Sequence, residues 1–239
     1  VVERVSEVRA QLWARTAGVA YLLIIALGVI VEGFVTSILV VDGEPAVTAA
    51  NIEAHLTLFR GGSFAVLVLY ALVLLLALAL YEVLRTVDRG VALVGLLFRS
   101  AEGIVGLTTV LTSLVVLQLL DGPGGSAIDP EERYPLAALF LDVRTAGLDI
   151  VLFLIGIGGT AFCYLLYRSR YVPRWLAAWG IGTYLSMLGL ATMSLLLPDH
   201  PSWLEAILYG AGTLFEVLAG LWLTIKGIDI ERWKASAVS

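Results

Sequence analysis

Apolar residues are gathered in six runs, separated by short stretches rich in charge, glycine or proline. The runs are Thr16–Val40, Leu58–Val87, Gly90–Leu120, Thr145–Tyr167, Pro173–Leu197 and Trp203–Lys226. A bilayer core of roughly 30 Å takes ~20 helical residues to cross, and each run is long enough. The pattern predicts an all-α, polytopic membrane helix bundle of six spans, organised as one integral membrane domain over residues 1–239. Pro173 suits the first turn of its helix, where a missing N–H costs nothing. Asp121-Gly-Pro-Gly-Gly and Pro198-Asp-His-Pro are turn sequences. Pro45–Phe59 and Tyr134–Val143 read as short amphipathic helices leading into the second and fourth spans. The first run is too long for the apolar core of a signal peptide and lacks a small-residue cleavage site, so it reads as a retained span.

Composition agrees. Of 239 residues, 59% are apolar and 15% charged, against ~45–50% and ~25% in soluble domains. Charge predicts orientation. The N-terminus, the second–third and fourth–fifth loops and the C-terminus hold eleven basic residues, from Arg4 to Lys234, whereas the other side holds Arg60, Arg133 and Arg144. Basic residues near span ends favour the cytoplasm, so both termini are expected there. The opposite loops hold most of the acid, including Asp42, Glu44, Glu53, Asp129, Glu131 and Glu132. Trp13, Trp175, Trp203 and Trp233 lie near span ends, as interfacial aromatics do. Thirteen Arg against two Lys, amid abundant Ala, Gly and Leu, suits a GC-rich bacterial genome and hence the bacterial inner membrane.

Several chemistries lose support. His55 and His200 both fall between spans, which argues against a bis-histidine haem, and no metal or other cofactor is expected. The single Cys163 excludes an internal disulfide. H-E-x-x-H, G-x-S-x-G and Walker A motifs are absent. Acid–base work by Glu102 or Glu216 stays open as enzyme chemistry. A net charge of −5 with short basic clusters gives no nucleic-acid footprint.

Six ionisable residues inside or at the ends of the spans need a reason: Glu32, Arg60, Arg99, Glu102, Asp149 and Glu216. A charge at mid-span costs roughly 2.5–3.5 kcal/mol on the insertion scale. Such groups face the bundle interior, pair together or line water. At about 1.5 Å per residue from each basic span end, Arg99 comes near ~13 Å, Glu216 ~15 Å and Glu102 ~18 Å. Glu32 follows at ~24 Å, Asp149 at ~28 Å and Arg60 at ~37 Å. Arg60 is therefore expected to reach down toward Asp149 or Glu32, and Arg99 to be neutralised jointly by Glu102 and Glu216. Polar, small stripes recur at helical spacing: Arg99, Glu102, Gly106, Thr109 and Ser113; Asp149, Phe153, Gly156 and Thr160; Glu205, Tyr209, Gly212, Glu216 and Gly220.

Two functions follow from this cluster. One is an outward-opening intramembrane pocket that binds or moves a small ligand, ion or proton; four acids against two arginines leave surplus negative charge there. The other is a structural or accessory subunit whose charges hold its own bundle or a membrane-protein partner. The partners expected are the lipid bilayer, a small molecule or lipid in the pocket, or that second protein. R-x-V-x-R-x-[VL]-A-x-x-G recurs in "RTVDRGVALVG" and "RYVPRWLAAWG". It reads equally as a duplicated hairpin or as convergence of basic loops between Ala/Gly/Leu helices.

The segments "AGVAYLLIIALGVIVEGF", "TAANIEAHLTLFR", "LLFRSAEG", "LLYRSRYVPRWL" and "FEVLAGLWLTIKG" together resemble a bacterial membrane family, domain of unknown function 4386. That resemblance implies a small polytopic protein. It makes Glu32, Asn51, Arg60, Arg99, Glu102, Asp149 and Glu216 the family's polar positions, and it implies no activity.

Overall fold

The computed structural model describes residues 2–41, 43–122, 125–197 and 202–238. Asp42, Pro123, Gly124 and the turn 198–201 with His200 lie outside the described residues, as does the side chain of Glu205. In chain order the helices are α1 (Val2–Ile30), α2 (Ser37–Leu39), α3 (Pro45–Ala54), α4 (Leu56–Leu84) and α5 (Arg89–Asp121). They continue as α6 (Pro130–Ser169), α7 (Arg174–Leu196), α8 (Ser202–Ile225) and α9 (Ile230–Val238). A π-helical turn, Val31–Thr36, carries α1 into α2. No strand occurs among the described residues.

Six stretches are long and apolar enough to cross a membrane: Ser6–Leu39, Leu56–Leu84, Arg89–Asp121, Glu131–Ser169, Arg174–Leu196 and Ile207–Ile225. The chain is thus an all-helical, multi-pass membrane protein in contact with lipid. Tyr134–Val143, expected as a separate helix, is continuous with the fourth span. Pro135 lies only six residues into that 40-residue helix, so it removes one hydrogen bond near an end that leaves its first N–H groups unpaired anyway. The lead-in to the second span does end early. His55 leaves the helical region, and its N–H is shared between the Asn51 and Ile52 carbonyls. The C-terminal helix α9 was not anticipated, because its short polar sequence carries no span signal.

Two compact units account for the packing. The first comprises residues 1–25, 72–103 and 149–239, and the second residues 26–71 and 104–148. In the first, small residues Ala10, Ala14, Ala17 and Ala20 on α1 pack with Leu76, Leu80 and Leu84 of α4, Phe162 and Leu165 of α6, and Leu223 of α8. A neighbouring cluster joins Cys163, Leu176, Tyr184, Met187 and Phe215. In the second, Val35, Leu39, Ile52, Phe59, Val116, Leu120 and Ala137 form the core. The stripe on α5 is buried along its whole length: Arg99, Glu102, Gly106, Thr109 and Ser113 all point inward. The other two stripes are not. Phe153 and Tyr209 are exposed, and the buried ridge of α8 runs instead through Gly212, Phe215, Ala219 and Leu223.

Candidate functional site

Arg99 and Glu102 stand three residues apart on α5, a spacing that places both on one helix face. Their side chains are 2% and 3% exposed, and Arg99 Nη1 approaches Glu102 Oε2 to 2.7 Å. Neither of these two atoms makes a well-directed hydrogen bond with another protein group. A buried charge pair normally saturates its remaining donors and lone pairs. This one holds together by charge with polar capacity to spare.

The wall beside it is α6, which comes close because two successive residues lack side chains. A Cβ on Gly158 would fall 2.8 Å from Arg99 Cγ and 2.9 Å from its backbone nitrogen. A Cβ on Gly159 would fall 2.5 Å from the Tyr184 ring. Any larger residue at either position would displace the arginine stem or the tyrosine.

Tyr184 is fully buried on α7. Its hydroxyl donates to Glu216 Oε1 on α8 at 2.9 Å and lies 3.0 Å from the Tyr21 hydroxyl on α1. A phenol has one proton to give. With that proton on Glu216, Tyr21 is the donor to Tyr184, and the chain of hydrogen bonds runs Tyr21 to Tyr184 to Glu216. Phe215 meets the Tyr184 ring edge-on, with centroids 5.7 Å apart and planes at 87°, which fixes where the hydroxyl points.

Glu216 therefore has a different partner from the one expected. The ion pair of Arg99 within 4 Å is with Glu102, and Glu216 receives the tyrosine, remaining within electrostatic reach of Arg99. Glu216 sits on the flank of the buried α8 ridge, where its hydrogen-bond partner is the Tyr184 hydroxyl. Arg60 also departs from expectation. Its guanidinium pairs with Asp121 at the end of α5, not with Asp149 or Glu32. Arg60 lies in the opening turns of α4, and the antiparallel neighbour α5 ends with its acid beside them. Glu32, in the π-helical turn, faces Arg144 at 3.7 Å. Asp149 is half-buried on α6. Glu53, absent from the expected cluster, receives both Arg133 at 2.8 Å and the Tyr134 hydroxyl at 2.9 Å.

Of the six, Arg99 and Glu102 form an ion pair, with Glu216 within electrostatic reach of Arg99. Arg99, Glu102 and Glu216 belong to the first unit, while Glu32 and Arg60 belong to the second. Two sizeable cavities, of about 780 and 570 Å³, are lined by none of the six. Tyr21 and Tyr184 are the residues that sequence reasoning missed. Tyrosines in membrane proteins concentrate near the interfaces, so Tyr184, eleven residues past Pro173 in mid-span, carried a signal of its own. No group of three or more His, Cys, Asp or Glu able to hold a metal occurs among the described residues.

Residues 16–227 match the family described as a domain of unknown function, DUF4386. No curated protein and no solved structure matches the chain. The chain belongs to the DUF4386 family.

Proposed function

We propose that this protein holds and exchanges a proton within the membrane, at the group formed by Tyr21, Tyr184, Glu216, Arg99 and Glu102. The observation that carries the reading is the directed hydrogen-bond chain ending on a carboxylate. When Tyr184 passes its proton to Glu216 and takes one from Tyr21, Tyr184 stays neutral and Glu216 becomes the acid. A hydronium-derived proton must then enter at Tyr21, which would otherwise remain a phenolate, and Glu216 must release its own before the next transfer. Rotation of the hydroxyls resets the chain. The burial of Arg99 and Glu102 favours a proton over a larger ligand, which would need room beside them. Arg99 and Glu102 lie on one helix, so their pairing ties α5 to itself, which argues against an inter-helix lock as its purpose. Both termini face the cytoplasm of a bacterial inner membrane on this reading, by the eleven-to-three bias of basic residues.

The alternative is a fastener: the two tyrosine bonds join α1, α7 and α8 and would stabilise the bundle without any proton moving. Glu216→Gln separates the two, because glutamine still accepts the Tyr184 hydrogen bond but cannot take up a proton. In reconstituted protein, infrared difference spectra across a pH titration should contain a carboxylic-acid band that is missing in Glu216→Gln, with thermal stability little changed. An unchanged spectrum in the variant would leave only the fastener.

A further inference from the structure

The loop between α6 and α7 and the segment between α8 and α9 enclose a cavity of about 570 Å³ that plays no part in the buried network. Its lining includes Arg170, Arg174, Lys226 and Arg232, with one acid, Asp229. Arg232 Nε is 3.0 Å from Asp229. Arg174 lies over the Tyr167 ring at 5.2 Å. Among the described residues Arg170, Arg174 and Lys226 have no carboxylate within 4 Å, so the cavity keeps an excess of exposed positive charge. The bias of basic residues toward one side explains the sign of these charges. It does not explain why they surround a hollow.

Specific contacts fix the backbone of the lining residues. The Gln11 side-chain amide pairs with both backbone groups of Ile228, donating to its carbonyl at 3.0 Å and accepting from its N–H at 3.1 Å. Asp229 N–H donates to the Tyr171 carbonyl at 3.1 Å. Gly227 has φ +69°, and a side chain there would run into the Gln11 amide. Across the cavity, Arg170 ends α6 with φ +58°, its N–H bonded to the Leu166 carbonyl at 3.1 Å. That is the left-handed cap position where glycine is usual. An arginine there is a backbone conformation that L side chains rarely adopt, and such outliers concentrate at ligand-holding sites. α7 begins beside it without a side-chain cap, adding the positive end of a helix.

We propose that this cavity binds the phosphate of an anionic phospholipid headgroup, in the leaflet on the side of the termini. Depth selects the lipid over a soluble phosphate compound. Arg174 opens one candidate span, Lys226 directly follows the end of another at Ile225, and Trp222 of that span lines the cavity. The exposed apolar side chains Trp175 and Ile225 flank it, where acyl chains would lie. Basic pockets at span ends recognise such headgroups, each cation contributing about fivefold in affinity.

The test is a thermal-shift titration of the purified full chain in detergent with short-chain phosphatidylglycerol, phosphatidylcholine of the same chain length, and glycerol phosphate. Phosphatidylglycerol alone should raise the melting temperature. Arg170→Gly should melt no lower than wild type without lipid, since glycine suits that backbone, yet bind phosphatidylglycerol about fivefold more weakly. Lys226→Gln should weaken binding similarly. Arg85→Gln, in the other basic loop and paired with Glu82, should leave it unchanged. An equal response to glycerol phosphate would assign the site to a soluble phosphate and overturn the headgroup. No response in wild type, or wild-type affinity in both cavity variants, or equal weakening by Arg85→Gln, would overturn the site itself.

Discussion

Arginine meets a carboxylate in both compact units, on very different terms. In the first unit Arg99 and Glu102 are sealed from any surface at 2% and 3% exposure. In the second, Arg60 and Asp121 are 59% and 39% exposed, and Glu32 facing Arg144 is 60% exposed. A desolvated charge depends on its partner, because no surrounding polar medium replaces it when the partner leaves. An exposed pair merely exchanges one set of polar neighbours for another. A basic residue paired with an acid is therefore expected to carry a large energetic weight where sealed and a small one where exposed. Only the sealed pair can hold a polar group at a fixed point in apolar surroundings.

The largest expected effect is the loss of one member of the sealed pair. Arg99→Leu should destabilise the protein by ~3–5 kcal/mol by stranding Glu102, and Arg99→Leu with Glu102→Leu should recover much of that. Detergent melting curves of both single variants and the double measure the coupling; strict additivity would mean the two charges do not depend on each other. Next comes the wall. Gly158→Ala should cost ~1–3 kcal/mol by overpacking against Arg99, whereas Ala at Gly182, where no atom lies within 4 Å of the added carbon, should cost nothing measurable. Arg60→Gln should be smaller still, ~0–1 kcal/mol, and should shrink further as salt is added.

The smallest effect distinguishes burial from membership of a unit. Asp88 belongs to the first unit but is only half-buried. It caps α5 by accepting from the Val91 N–H at 3.1 Å and faces Arg168 at 3.4 Å. That Val91 bond, then the Gly90 N–H and Arg168, hold its carboxyl below the usual range. The sign follows: its stabilisation is complete above the ordinary carboxylate range and disappears as pH falls through the lowered value. Asp88→Asn should flatten the acid limb of the melting temperature against pH slightly and leave neutral stability close to wild type. A loss as large as that of Arg99→Leu would mean that position in the first unit, not burial, sets the energetic weight of a charge.

Run length and composition alone determined that this chain is helical, that it has six candidate spans, and that α5 has an inward polar stripe. Those properties are local, since a turn of helix fixes which residues share a face, and so Arg99 with Glu102 was legible at a spacing of three. The partner of Glu216, the partner of Arg60 and the basic cavity were settled only in three dimensions. Each depends on how far one helix rotates and slides against another, and helical periodicity leaves both free. Tyr184 bonds Glu216 from a position that Gly159 leaves room for; Asp121 meets Arg60 because α5 ends beside the opening turns of α4. Ile228 in the cavity lining is bonded by Gln11, more than two hundred residues away in sequence, a pairing that no local pattern encodes.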